Sequence, residues 1–142
     1  MDKVRDIMTQ DPAYCLPETG LRDVADMMRD FDCGEIPVVE SRQSPKPIGV
    51  ITDRDIVCRT IAESENPLKL RAEDCMTIPC VVVEPETSVE ACIELLQRHK
   101  IRRVAVVDKA GLCIGMVSLA DLALKTNHDR TAELLKEVSR EA

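Results

Sequence analysis

An α+β fold made of two copies of one β-α-β-β-α unit is what this sequence predicts, and three observations carry that prediction. The first is a duplicated stretch. Gly49-Val50-Ile51-Thr52-Asp53-Arg54-Asp55 returns as Gly115-Met116-Val117-Ser118-Leu119-Ala120-Asp121, with glycine, aliphatic pair, hydroxyl and aspartate at the same spacing. The second is a constant offset of 68 residues. It relates Asp6-Ile7-Met8-Thr9 to Asp74-Cys75-Met76-Thr77, Pro17-Glu18-Thr19 to Pro85-Glu86-Thr87, and Ile36-Pro37-Val38-Val39 to Val104-Ala105-Val106-Val107. The third is the alternation of helical and strand periodicity inside each half. The offset drops to 66 only past the polar loop 41–47, whose counterpart at 109–113 is shorter, and exposed loops tolerate such differences.

Taken in order, each half opens with a short helix that ends at Asp-x-Met-Thr. A first strand is expected near 13–16 and near 80–83. Long helices are expected over 19–32 and 87–100, each following Pro-Glu-Thr. Leu21, Val24, Ala25 and Met28 form a core-facing stripe in the first, as Val89, Cys92, Ile93 and Leu96 do in the second. Met27 and Phe31, and Leu95 and His99, extend those stripes sideways. Two further strands flank each polar loop, and the second of each pair runs into a helix through the duplicated junction. A three-stranded sheet has two faces and too few helices to cover them, so the halves are expected to pack sheet to sheet. The division expected is a first repeat over 1–63, a connector over 64–71 that includes Asn66-Pro67, and a second repeat over 72–127. Residues 128–142 read as an amphipathic helix with Leu134, Leu135 and Val138 on one side.

The junctions carry the chemistry. Thr52 and Ser118 sit where a helix N-cap belongs, and a strand running into a helix aims backbone N–H groups and the helix dipole at one spot, where an anion can sit. Asp55 and Asp121, one turn in, could each accept both hydroxyls of a ribose diol. The same spacing is also that of a capping box, in which hydroxyl and carboxylate only cap their own helix.

Composition narrows the function. The chain has 142 residues, 44% of them hydrophobic, enough for a sizeable core. A net charge of -7 argues against a general nucleic-acid or anionic-membrane surface. No apolar run approaches the ~20 residues that span a bilayer. The N-terminus lacks the apolar stretch of a secretory signal, so a cytoplasmic location is expected. Seven cysteines, odd in number and never spaced C-x-x-C, read as small core hydrophobes, and with only His99 and His128 beside them no metal site is expected. No nucleophile pair or Walker-type glycine loop appears, so no catalytic residue and no reaction are expected.

The duplicated Asp-x-Met-Thr start, the Pro-x-Thr that precedes each long helix, the Ile36-Pro37-Val38-Val39 strand and the paired glycine-to-aspartate junctions together resemble the CBS domain family, as one tandem pair or Bateman module over about residues 4–125. With Thr52-Asp53-Arg54-Asp55-Ile56-Val57 and Ile101-Arg102-Arg103-Val104, the chain looks like the small stand-alone bacterial two-CBS proteins, a group that includes a mycobacterial hypoxia-response protein. The resemblance implies a regulatory module without a reaction of its own. Such a module binds an adenosine compound, here an adenine nucleotide such as AMP, ADP or ATP, with S-adenosylmethionine or NAD as alternatives, and signals to an effector protein that the sequence does not name.

It also implies one cleft on each side of a pseudo-twofold axis. In the main cleft Thr52 and Asp55 would take phosphate and ribose, while Thr77, Pro79, Val81 and Ile101 would frame adenine. In the second, Ser118 and Asp121 would meet Thr9, Asp11, Ala13 and Cys33. Charge favours the main cleft, because Arg54, Arg102 and Arg103 suit phosphate, whereas the matched positions beside the second are Ala120, Gly34 and Glu35. Arg102 and Arg103 also fit a solvated strand start. A homodimer through the apolar flanks of the two long helices is expected, the alternative being that the connector or the C-terminal helix covers them. The competing function is a scaffolding module whose clefts have lost their ligand.

Overall fold

The computed structural model describes residues 2–124 and 135–138. In chain order, α1 (Val4–Ile7) leads to β1 (Thr9–Gln10), α2 (Leu21–Asp30), β2 (Glu35–Val39), β3 (Pro47–Thr52) and α3 (Asp53–Arg59). Two 3-10 turns, Ile61–Glu63 and Pro67–Lys69, precede α4 (Ala72–Cys75). Then come β4 (Val82–Val83), α5 (Val89–His99), β5 (Arg103–Val107), β6 (Cys113–Ser118) and α6 (Leu119–Ala123). The chain is mixed α and β, with the β-α-β-β-α order read from each half. No helix among the described residues is long and apolar enough to cross a membrane.

Two compact units emerge, and their edges differ from those of the sequence repeats. Among the described residues, a first-repeat unit holds 13–80 with 111–113, and a second-repeat unit holds 2–12, 81–110, 114–124 and 135–138. Each unit has therefore taken the short N-terminal arm of the other repeat. Strand pairing shows why: β1 runs antiparallel to β6, with Thr9 opposite Met116 and Gln10 opposite Gly115. In the same way Thr77, just past α4, forms an antiparallel bridge with Val50 through N–H···O bonds of 2.8 and 2.9 Å.

In the first-repeat unit β2 and β3 form an antiparallel hairpin with Ile36 opposite Ile51. The strand expected near 13–16 shrinks to one parallel bridge, Cys15 to Val38, held by Cys15 N–H to the Pro37 carbonyl and Val39 N–H to the Cys15 carbonyl, both 2.9 Å. Pro37 has no N–H to extend that ladder. Its match in the second repeat is Ala105, which keeps the donor, and there β4 forms and pairs parallel with β5. The core joins Leu21 and Val24 of α2 to Ile36, Val38 and Ile51 of the hairpin, with Ala72 and Cys75 contributed by α4. Burial on α2 follows the 21, 24, 28 spacing. Ala25, expected in the stripe, is exposed, at the edge of the face, where a methyl group costs little to leave in water.

In the second-repeat unit the sheet order is β1-β6-β5-β4, and α5 is the crossover that parallel β4 and β5 require. The stripe of Val89, Cys92, Ile93 and Leu96 is buried as its spacing predicts, against Val104, Val106, Val117 and the arm residue Val4. Of the C-terminal helix expected over 128–142, residues 128–134 and 139–142, Leu134 among them, lie outside the described residues. Residues 135–138 are helical, with Val138 buried in this core and Leu135 exposed.

Candidate ligand-binding site

Both duplicated junctions fold as capping boxes. Strand β3 ends on Thr52, which is also the N-cap of α3: its Oγ1 accepts the Asp55 N–H at 3.0 Å, and Asp55 Oδ2 accepts the Thr52 N–H at 3.1 Å. At the start of α6, Ser118 Oγ accepts from Asp121 N–H at 3.1 Å, and Asp121 Oδ2 from Ser118 N–H at 3.0 Å. The remaining donors at the start of α3 are taken as well. Asp53 N–H donates to the Gly34 carbonyl at 2.9 Å, and Arg54 N–H to Asp53 Oδ1 at 2.8 Å. The first three backbone N–H groups of α3, those of Asp53, Arg54 and Asp55, are thus all hydrogen-bonded within the protein. The Thr52 hydroxyl accepts a hydrogen bond and still has its own proton to donate, and Arg54 is exposed.

Asp55 is the most constrained of these residues. Its side chain is 13% exposed, and the Thr77 Oγ1 lies 3.2 Å from each carboxylate oxygen. Thr77, expected beside adenine, has its hydroxyl facing the aspartate expected to hold ribose. Gly49 makes this approach possible. A β-carbon there would stand 2.9 Å from the Thr77 carbonyl oxygen, closer than backbone can tolerate. Gly115 plays the matching part against Met8 and Thr9. Arg59, absent from the sequence-based site, completes the cluster: its Nε is 3.7 Å from Asp55 Oδ1, and its Nη1 donates to the Met76 carbonyl at 3.1 Å. The signal was present, four residues past Asp55 on one helix, but i,i+4 pairs of opposite charge are too common to single one out.

The other expected residues are distributed between the units. Pro79 joins Thr52, Arg54, Asp55 and Thr77 in the first-repeat unit and is exposed. Val81 and Ile101 pack against the core of the second-repeat unit. There the Arg102 side chain is exposed while its carbonyl accepts Leu119 N–H at 2.8 Å, and Arg103 opens β5, partly exposed. Of the second set, Thr9 and Asp11 share the second-repeat unit with Ser118 and Asp121, and Asp11 adopts a left-handed backbone conformation, φ 54°. Ala13 and Cys33 pack on the first-repeat core.

Four of the seven cysteines are core packing residues, and Cys58 is exposed. Cys15, Cys75, Cys92 and Cys113 are buried. Burial pushes the Cys15 thiol up to about 12 and that of Cys92 to about 11, and burial, reinforced by Glu35 and Cys113, takes Cys80 to about 12. These groups stay protonated at neutral pH. Among the described residues no group of three or more His, Cys, Asp or Glu side chains is placed to hold a metal ion.

Comparison with known proteins agrees with this architecture. A CBS domain family profile matches residues 4–59 and again 72–125. The uncharacterized protein YlbB of Bacillus subtilis is 35% identical over 140 residues, 98% of this chain and 93% of its own. Among solved structures, Hypoxic Response Protein I with two coordinated zinc ions is 26% identical, with a TM-score of 0.78 over 89% of this chain and 100% of its own. CBSX2 in complex with AMP is 25% identical, with a TM-score of 0.73 over 96% of this chain and 99% of that one. With two matched domains, duplicated junctions and exchanged arms, the chain belongs to the CBS domain family as a tandem pair.

Proposed function

We propose that this CBS pair is a regulatory module that binds an adenine nucleotide of the AMP, ADP or ATP type and reports its occupancy to a partner protein, without a reaction of its own. The observation that carries the reading is the Asp55 carboxylate. It is largely withdrawn from water, oriented by its own helix, and has both oxygens turned toward one hydroxyl, that of Thr77. A ribose diol offers two such donors, and trading one hydroxyl for two is favourable at a charged acceptor. Arg54, Arg102 and Arg103 serve phosphate in this reading, with Thr52; Pro79, Val81 and Ile101 serve adenine. Thr77 shifts its hydroxyl from Asp55 to the ligand. Membership of the CBS family and the AMP complex of CBSX2 support the choice of ligand class. The second set of residues, around Ser118 and Asp121, binds charged nucleotide less well because it lacks arginines.

The scaffolding alternative has one observation in its favour: the capping bonds at both junctions account for hydroxyl and aspartate with no ligand at all. A thermal-shift panel of AMP, ADP, ATP, NAD and S-adenosylmethionine separates the two. A ligand that binds only the folded state adds about 2.7 kcal/mol of stability at a hundred times its dissociation constant, so an adenine nucleotide should raise the melting temperature by several degrees. No rise with any of the five supports the scaffold.

A further inference from the structure

The side chains of Asp55, Thr77 and Arg59 form a closed ring. Thr77 Oγ1 is 3.2 Å from both carboxylate oxygens, Arg59 Nη2 is 3.5 Å from Thr77 Oγ1, and Arg59 Nε is 3.7 Å from Asp55 Oδ1. A carboxylate can only accept, so the single Thr77 proton is directed at Asp55, and a lone pair of Thr77 is left for the guanidinium. Arg59 also donates from Nη1 to the Met76 carbonyl at 3.1 Å, which anchors it to the backbone beside Thr77. A helical i,i+4 ion pair alone contributes only a few tenths of a kcal/mol, and a half-exposed arginine has little cause to keep one geometry. Arg59 keeps it by bridging α3 to the segment after α4. A planar fork holds several donors in fixed directions and does this better than an ammonium. At 3.7 Å its charge faces Oδ1 beyond hydrogen-bond distance, so that oxygen still has a lone pair for another donor.

We propose that Arg59 is the positioning residue of the ribose-binding carboxylate. It sets the orientation of Asp55 and the placement of Thr77 without touching phosphate. The proposal rests on the reading of Asp55 as the ribose acceptor, and it separates Arg59 from the arginines assigned to phosphate: its loss weakens adenosine and AMP by the same factor. The match to Arg59 in the second repeat is Lys125, which lies outside the described residues.

Calorimetric titration of adenosine and AMP into wild type, Arg59→Ala, Arg59→Lys, Asp55→Asn and the Arg59→Ala/Asp55→Asn double variant tests it, with melting temperatures recorded for each. The expected result is a loss of roughly tenfold for both ligands in Arg59→Ala, as for one charge-assisted contact. Arg59→Lys recovers part of it, and Arg59→Ala adds nothing in the Asp55→Asn background. A loss confined to AMP makes Arg59 a phosphate contact and overturns the proposal. So does a lowered melting temperature with both affinities unchanged, which makes Arg59 purely structural. Wild type that binds neither ligand, or Asp55→Asn that binds both normally, overturns the nucleotide or ribose reading itself. Wild-type binding lost in Asp55→Asn but kept in Arg59→Ala overturns the role of Arg59 alone.

Discussion

Gly49 lies against the backbone carbonyl of Thr77, 2.9 Å from where a β-carbon on the glycine would be, and this contact lets the arm of the second repeat lie along β3. The matched Gly115 has 2.7 Å to Met8 Sδ but 3.1 Å to the Thr9 carbonyl, so its nearest obstacle is the end of a flexible side chain. Gly49→Ala should therefore destabilise the protein by about 1–3 kcal/mol, the usual cost of overpacking, and Gly115→Ala by clearly less. Urea denaturation of the two variants checks the order. Equal costs would mean that the arm beyond α4 yields as readily as a methionine side chain.

Phe31 is the apolar residue left in the open at the end of α2. It is 59% exposed, while Met27, expected beside it on a dimer face, packs onto its own core. If the long helices form a homodimer contact, Phe31→Glu should yield monomer and lose only the stability that association adds, whereas Met27→Glu should also lower the stability of the single chain. Light scattering at micromolar concentration reads the mass. A wild type already at the mass of one chain removes the dimer from the account.

The buried thiols set a limit at alkaline pH. Cys15 and Cys92 are raised from the ordinary 9.0 to about 12 and about 11, chiefly because burial disfavours the thiolate. A group whose folded pKa lies above its unfolded value contributes stability that is complete below the unfolded pKa and is lost as pH rises through the folded one. Stability should thus decline from about pH 9 toward pH 12, and Cys92→Val should make that decline shallower while leaving ligand affinity unchanged. Denaturation midpoints at pH 8 and pH 10.5 measure it; identical slopes in variant and wild type would show that Cys92 does not titrate with unfolding.

Much of this fold could be read from the sequence because it is written twice. The junctions, the long helices and the α5 stripe all appear where the repeat placed them. Arm exchange could not be read, since a repeat shows which residues correspond and not which copy each packs against. Pro37 could have been read: a proline in an inner strand removes a ladder donor, and the strand near Cys15 is reduced accordingly. The site divides the same way. Thr52 with Asp55 and Ser118 with Asp121 are local pairs, three residues apart, and local spacing foretold them. Thr77 reaches Asp55 across 22 residues of sequence, and the Gly34 carbonyl that takes the Asp53 N–H is as invisible to spacing. Those two contacts tie the junction to segments that local spacing does not relate to it.

Calorimetric titration of AMP and adenosine into wild type, Asp55→Ala and Asp121→Ala tests the central claim most directly. Both substitutions remove the same capping bond from a matched helix, and Asp55→Ala also releases Thr77 and Arg59, so melting temperatures are recorded beside the affinities. Losing charge-assisted hydrogen bonds to ribose costs about 1.5–3 kcal/mol, roughly one to two decades in affinity. Asp55→Ala should weaken AMP and adenosine alike by that much, and Asp121→Ala should change AMP binding far less. Arg102→Ala or Arg103→Ala, run alongside, should weaken AMP and spare adenosine. Binding abolished by Asp121→Ala and untouched by Asp55→Ala would contradict the assignment, and a wild type that binds neither compound would contradict the AMP-type reading and leave S-adenosylmethionine, NAD or the scaffold.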